Sequence, residues 1–226
     1  MIIARGTDAV GCWHFSLEEE RSTAAARERW QRSLRFLATA AALGETQELI
    51  VYPIQAVLVA ARANGAPPPL VVQVATQEDL GAALEAMVAQ REFAFGDVEL
   101  HSDSVICAPS GRRRLSGAFE LECHVLDYDA YLTVSTRADV WLPFDLLARP
   151  QPMVSRLNAP RLEVTLAWIE FACGAAGFAE DTRFAHRDGY TLHNHRVHGN
   201  LHGDVLDLQD MGYDESWIVE RWPEPA

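Results

Sequence analysis

The stretch Phe119-Glu120-Leu121-Glu122-Cys123-His124-Val125 decides the fold class. Apolar and polar side chains alternate one by one, which is the period of a β-strand with one face buried and the other wet. On one side of it, Val98/Leu100 and Val105/Cys107 repeat the pattern. On the other, Leu126-Asp127-Tyr128-Asp129 reads as a turn and Tyr131 to Ser135 as the next strand. Residues 97–136 therefore predict an antiparallel meander. A hairpin turning near Leu115 would set Cys107 opposite Cys123 as neighbouring thiols, and Arg112-Arg113-Arg114, after Ser110-Gly111, reads as a solvated turn.

Outside the meander the spacing changes. Val10 to Phe15 reads as a strand. Ser16 is placed to cap a helix that carries Glu18, Glu19 and Glu20 in its first turn and runs to Leu43, with Gly44 as its stop. Trp30, Leu34, Leu37 and Ala41 recur at helical spacing and should face the core. Glu48 to Tyr52 and Leu70 to Ala75 read as strands, and residues 54–63 fit either helix or strand. Between them Asn64-Gly65-Ala66-Pro67-Pro68-Pro69 reads as a stiff loop. Thr76 caps a helix that reaches Arg91. Further on, Trp141 to Pro152 reads as a Pro-punctuated loop. Asn158 is placed to cap a helix with Pro160 near its start, Leu162, Leu166, Ile169 and Phe171 or Cys173 on its apolar face, and Gly174 at its end. A last short strand falls near Trp217-Ile218-Val219. The fold class is α+β, a mainly antiparallel sheet with three or so helices packed on it, in one domain over 1–226 with a weak subdivision near residue 95.

Composition narrows the function. The 226 residues are 49% hydrophobic and carry a formal charge of −13. All 19 basic residues are Arg. Without Lys the chain cannot supply the phosphate-binding lysine of a P-loop, the strand lysine of a protein kinase, or the amine of a Schiff-base enzyme. The acidic balance argues against nucleic acid as a partner, because phosphate binding rests on basic side chains. The longest apolar run, Leu49 to Ala61, is interrupted by Pro53 and Gln55 and is short of the ~20 residues of a membrane span. The first residues lack a basic segment followed by an apolar stretch, so the expected location is cytoplasmic. No C-x-x-C or G-x-S-x-G occurs. On a strand Cys123 and His124 point to opposite faces. A Cys–His pair made in space by Cys107 or Cys12 stays open.

Histidine gives the sharpest local signal. Four of the eight histidines, His193, His195, His198 and His202, fall within ten residues, with Asp204 just beyond. An extended backbone puts His193 and His195 on one face, where two imidazoles can serve one metal. The third ligand would be His198, His202, Asp204, or a remote His186, His124 or His14. Val197 stands where the H-x-H-x-D-H motif of metallohydrolases needs its Asp, and no H-E-x-x-H occurs.

The C-terminal stretch gives the other signal. Residues 200–226 hold seven carboxylates against one Arg. Trp217 and Trp222 lie among Asp210, Asp214 and Glu215, an acidic-aromatic combination suited to a protein partner, most simply a basic one. The function expected on these grounds is a non-catalytic acidic protein-binding module with no cofactor, in concrete form a toxin-neutralising immunity-type protein of a bacterium. The alternative is a metal-dependent hydrolase that uses the His193/His195/His198/His202 cluster and one divalent transition metal, Zn or Fe/Ni.

Overall fold

The computed structural model describes residues 2–4, 9–17, 26–60, 68–89, 96–126, 129–174, 177–178, 181–196, 204–207, 209–213 and 218–221. In chain order the elements are β1 (Ile2–Ala4), β2 (Gly11–Ser16), α1 (Ala26–Thr46), β3 (Val51–Ala60), β4 (Leu70–Val74), α2 (Gln77–Ala89), β5 (Gly96–Ala108), β6 (Gly111–Val125), β7 (Ala130–Thr136), α3 (Pro152–Cys173), β8 (Gly177–Phe178), β9 (Ala185–Asp188), β10 (Thr191–Asn194) and β11 (Ile218–Arg221). Seven strands form one antiparallel sheet in the order β4-β3-β5-β6-β7-β2-β8. Two antiparallel pairs, β9/β10 and β1/β11, stand apart from it. The architecture is α+β, with the meander β5-β6-β7 at its centre. β5 pairs with β3, so hydrogen bonding crosses the composition change near residue 95.

Alternation assigns the two faces of the sheet. Val98, Leu100 and Ile106 of β5, Phe119, Leu121 and Cys123 of β6, Leu132 and Val134 of β7, and Trp13 and Phe15 of β2 point into the core. The helices cover that face: α1 lies on β6 and β7, α2 on β3 and β4, and α3 on β2 and β5. Trp30, Leu34, Leu37 and Ala41 are the buried stripe of α1. Among the described residues no helix is long and apolar enough to cross a membrane. The opposite face of the sheet carries Asp97, Glu99, His101, Glu120, Glu122, His124, Tyr131 and His14, all partly exposed.

Several expectations are corrected. Ser16 belongs to β2, and Leu17 continues that strand's pairing through a hydrogen bond from its N–H to Ala130 O, 2.8 Å. Residues 18–25, which include the glutamate run, lie outside the described ones. Gly44 sits inside α1; it is small because Ile50 folds back on it, and a Cβ there would stand 3.0 Å from the Ile50 side chain. Residues 54–60, which fit either helix or strand, are strand. The β5–β6 hairpin turns at Pro109-Ser110, well before Leu115, so Cys107 faces Arg112 and Cys123 faces Val98, and the two thiols are not neighbours. The Arg run accordingly lies on β6, where Arg112 pairs with Glu48 and Arg114 with Asp103 at 2.7 Å.

The largest correction concerns α3. It starts at Pro152, and both Asn158 and Pro160 lie inside it. β5 outruns β3, whose last partner at this end is Asp103. The backbone of β5 beyond that point needs other partners, since buried unpaired peptide groups are costly. Val105 N–H reaches Glu48 O at 2.8 Å, and Asn158 serves Cys107: its Oδ1 accepts from Cys107 N at 2.9 Å and its Nδ2 donates to Cys107 O at 2.7 Å. Arg161 Nη1 donates to Val105 O at 2.8 Å and to Asn158 Oδ1 at 3.0 Å. A side-chain amide thus takes the place of a missing strand. At the other end Gly174 adopts φ 66° and its N–H closes the helix on Glu170 O, as expected.

Candidate functional site

Three surfaces of the molecule gather side chains that can carry function. The first is the hairpin β9/β10, where the sequence places His193 and His195. The register sets His193 directly opposite His186. Alternate residues anchor the hairpin: Ala185 and Leu192 are buried, and Asn194 binds Phe144 N at 3.1 Å and Phe144 O at 2.8 Å through its amide. The residues between them turn outward, so His186, His193 and His195 share one side. The ring centroids of His186 and His193 are 5.2 Å apart, and those of His186 and His195 are 5.8 Å apart. His195 Nε2 lies 2.8 Å from Thr182 O. A carbonyl only accepts, so that nitrogen carries the hydrogen. Asp204 is exposed beside the Arg196–Val205 bridge. The Asp207 N–H donates to Asp210 Oδ2 and the Asp210 N–H donates to Asp207 Oδ1, a turn device. His198, His202, Asp214, Glu215, Trp217 and Trp222 lie outside the described residues.

The second surface is the open face of β5 and β6, from which the sequence singles out only His124, as a remote third ligand. His124 stands across from Asp97 and two residues from Glu122; its Nδ1 is 2.9 Å from Asp97 Oδ1 and its Nε2 is 3.3 Å from Glu122 Oε2. His101 stands across from Glu120 and two residues from Glu99, at 3.4 Å and 3.0 Å. The two triads are related by the local dyad of the antiparallel pair, centred where Glu99 faces Glu122. In each triad the ligand-type atoms lie within 4.8 Å of one another, the spacing a metal ion would need. A proton competes for the same place. Burial pulls the His124 pKa down, but hydrogen bonds to Asp97 and Glu122 outweigh it and hold it up at about 9. His101 is raised as well, chiefly by its hydrogen bond to Glu99. Both nitrogens of each ring face carboxylates, which suits an imidazolium that donates twice.

This ladder yields a pH prediction. A histidine whose folded pKa lies above its unfolded value of ~6.5 stabilises the fold fully below that value and loses the contribution as pH rises through the folded pKa. For His124, 16% exposed, the window is from about 6.5 to about 9. Unfolding free energy should fall by about 2–3 kcal/mol across it, at ~1.4 kcal/mol per pKa unit. Urea titrations at several pH values should show that slope in the wild type and lose most of it in His124→Gln. An unchanged slope in the variant would assign the effect to other groups.

Beside the ladder the sheet face dips into a cradle of about 450 Å³. Cys12, His14, His124, Tyr131, Thr133 and Arg183 line it. Tyr131 stacks on His124 at 4.2 Å. Cys12 Sγ is 3.6 Å from His14 Nε2, and His14 Nδ1 is 3.0 Å from Thr133 Oγ1. A thiol beside an imidazole is the pair from which a thiolate nucleophile can form. The i, i+2 spacing of Cys12 and His14 on one strand was visible in the sequence, whereas Thr133 required the β2–β7 register. Cys107, the other thiol left open, meets Asn158 and Arg161 instead.

The third surface is the outer side of α3. Its inner stripe, Leu162, Leu166 and Ile169, is buried as expected, but Phe171 is 89% exposed. Met153, Leu157, Val164 and Trp168 are exposed as well, and Trp168 is 42% exposed. Their spacing, with exposed Pro160 and Ala167 between, draws one continuous ridge along the helix. From Met153 to Phe171 it runs ~27 Å at 1.5 Å per residue. Arg156 is the exposed charge along it, and Glu163 and Glu170 flank it, partly buried. Where the ridge meets α1, a groove of about 470 Å³ opens between Arg32, Arg35, Phe36 and Ala172.

No protein-family model, curated protein or solved structure matches this chain.

Proposed function

We propose that this chain is a non-catalytic protein-binding module that docks its partner on the outer face of α3. The observation that carries the reading is the apolar ridge of Met153, Leu157, Val164, Trp168 and Phe171. Soluble monomers rarely leave a large contiguous apolar patch in water, and such patches mark interaction sites. Trp is among the side chains that dominate binding energy, and aromatic residues are enriched in protein interfaces. The partner is a protein of net positive charge with an apolar cleft. A chain of charge −13 steers such a partner inward, and Glu163 and Glu170 beside the ridge match a basic rim. In its concrete form the reading is a cytoplasmic immunity-type protein of a bacterium that neutralises a basic toxin.

The test is capture of the partner from cells that make the protein, on immobilised wild type and on Trp168→Asp/Phe171→Asp. The reading expects a basic protein retained at low salt by the wild type, weakened by added salt, and lost on the double variant. Retention that survives the double substitution contradicts it. So does a chain that sediments as a stable dimer through α3, because a second copy would then cover the ridge.

A further inference from the structure

We infer that His186, His193 and His195 form a binding site for a single divalent transition-metal ion of the zinc class, with the remaining coordination position open to water. The inference stands apart from the docking surface on α3 and does not rest on it. Three imidazoles come together because β9 and β10 pair in the register that sets His193 opposite His186, while His195 follows two residues on along the same side. Two imidazoles bound to one tetrahedral ion at a metal–nitrogen distance of ~2.0–2.1 Å hold their ring centroids roughly 5 Å apart. The observed separations of 5.2 Å and 5.8 Å are of that size.

The chemistry of the rings fits a borderline cation. Neutral imidazole is the ligand such ions favour. His195 donates from Nε2 to Thr182 O, which fixes the ring and leaves Nδ1 as the nitrogen that can turn to an ion. A ligand whose second nitrogen is tied to a backbone carbonyl is the usual arrangement behind a metal. His186 and His193 make no hydrogen bond to a described residue; they meet each other's rings, and His186 also meets the ring of His195. Two adjacent imidazoles without acceptors contrast with His101 and His124, each of which spans a pair of carboxylates.

The His186 and His193 rings are stacked at 25° and the His186 and His195 rings are tilted at 33°, and their nitrogens do not all lie within 4.8 Å of one another. For one ion to bind, the His186 and His193 rings must turn toward a common point, and the terminal torsion of a histidine is broad and soft. The hairpin beneath them need not move, since Ala185, Leu192 and Asn194 fix it to the body.

The probe is Co²⁺, added to tag-free chain after chelation, with the visible spectrum as readout and Zn²⁺ as competitor. The expected result is one equivalent of Co²⁺ with the intense bands of a four-coordinate nitrogen site, displaced by Zn²⁺. His186→Ala and His193→Ala should each weaken binding at least tenfold and abolish the bands. His124→Gln, in the sheet-face triad, should leave both unchanged. If an Ala variant fails to fold, the corresponding Gln variant takes its place. Absence of retained ion in the wild type overturns the proposal. Binding that is lost in His124→Gln, or that survives His186→Ala and disappears in His198→Ala or His202→Ala, overturns it equally.

Discussion

Asn158→Leu should lower unfolding free energy by about 3 kcal/mol, one of the largest effects of any single substitution outside the apolar core. Asn158 is 0% exposed, and its amide satisfies both the N–H and the C=O of Cys107. It also donates to Val154 O at 2.7 Å and accepts from Arg161. Leucine has nearly the same size, so the loss falls on the polar groups left behind. Two partly buried peptide groups without partners cost ~1–3 kcal/mol each, partly offset by the apolar side chain. In a domain of this size the melting temperature should drop roughly 10 °C, at ~2–4 °C per kcal/mol. Asn158→Asp separates the two bonds. The carboxylate still accepts from Cys107 N–H but turns an oxygen toward Cys107 O, so it should be no more stable than the leucine variant. Urea unfolding with an unchanged slope checks both. A loss below 1 kcal/mol in Asn158→Leu would mean that β5 finds its partners elsewhere.

The second large effect concerns binding. Phe171→Ala and Trp168→Ala should each weaken partner affinity by about 2 kcal/mol or more, a factor of roughly thirty. Met153→Ala and Val164→Ala should cost less than 1 kcal/mol, because binding energy concentrates in a few anchors, and aromatic residues are favoured among them. Folding stability should hardly move in Phe171→Ala, since a side chain 89% exposed makes few contacts worth losing. That separation is diagnostic. A core residue loses stability when truncated, whereas an interface anchor loses affinity alone. Titration of the captured partner against each variant gives the affinities, and melting curves give the control. Equal, small losses at all four positions would show that α3 is a bystander.

These two predictions fall where the sequence was hardest to read. The alternation at 119–125 is a local property, and β6 follows it; so do the stripe of α1 and the stop at Gly174. Asn158 followed two residues later by Pro160 carries the local signal of a helix start, but the residue is held by a strand 51 positions away that lacks a neighbour at its end. No local pattern records that need. α3 is apolar on two sides, and periodicity alone does not say which stripe is buried. Leu162, Leu166 and Ile169 are inside because β2 and β5 lie there, and Phe171, one of two candidates for that face, is outside. The same distinction governs the histidines. His193 and His195 are a legible pair, but His186 joins them only through the β9–β10 register. The His124 triad likewise depends on Asp97 standing opposite, a partner 27 residues away.

The docking surface is the central claim, and side-chain footprinting by hydroxyl radicals tests it most directly. Met153, Trp168 and Phe171 are exposed residues of readily oxidised types, and Tyr131 on the sheet face serves as the internal reference. With the captured partner at saturation, oxidation of the three α3 residues should fall severalfold while that of Tyr131 stays constant. Protection of Tyr131 with unchanged oxidation along α3 would place the partner on the sheet face and contradict the account.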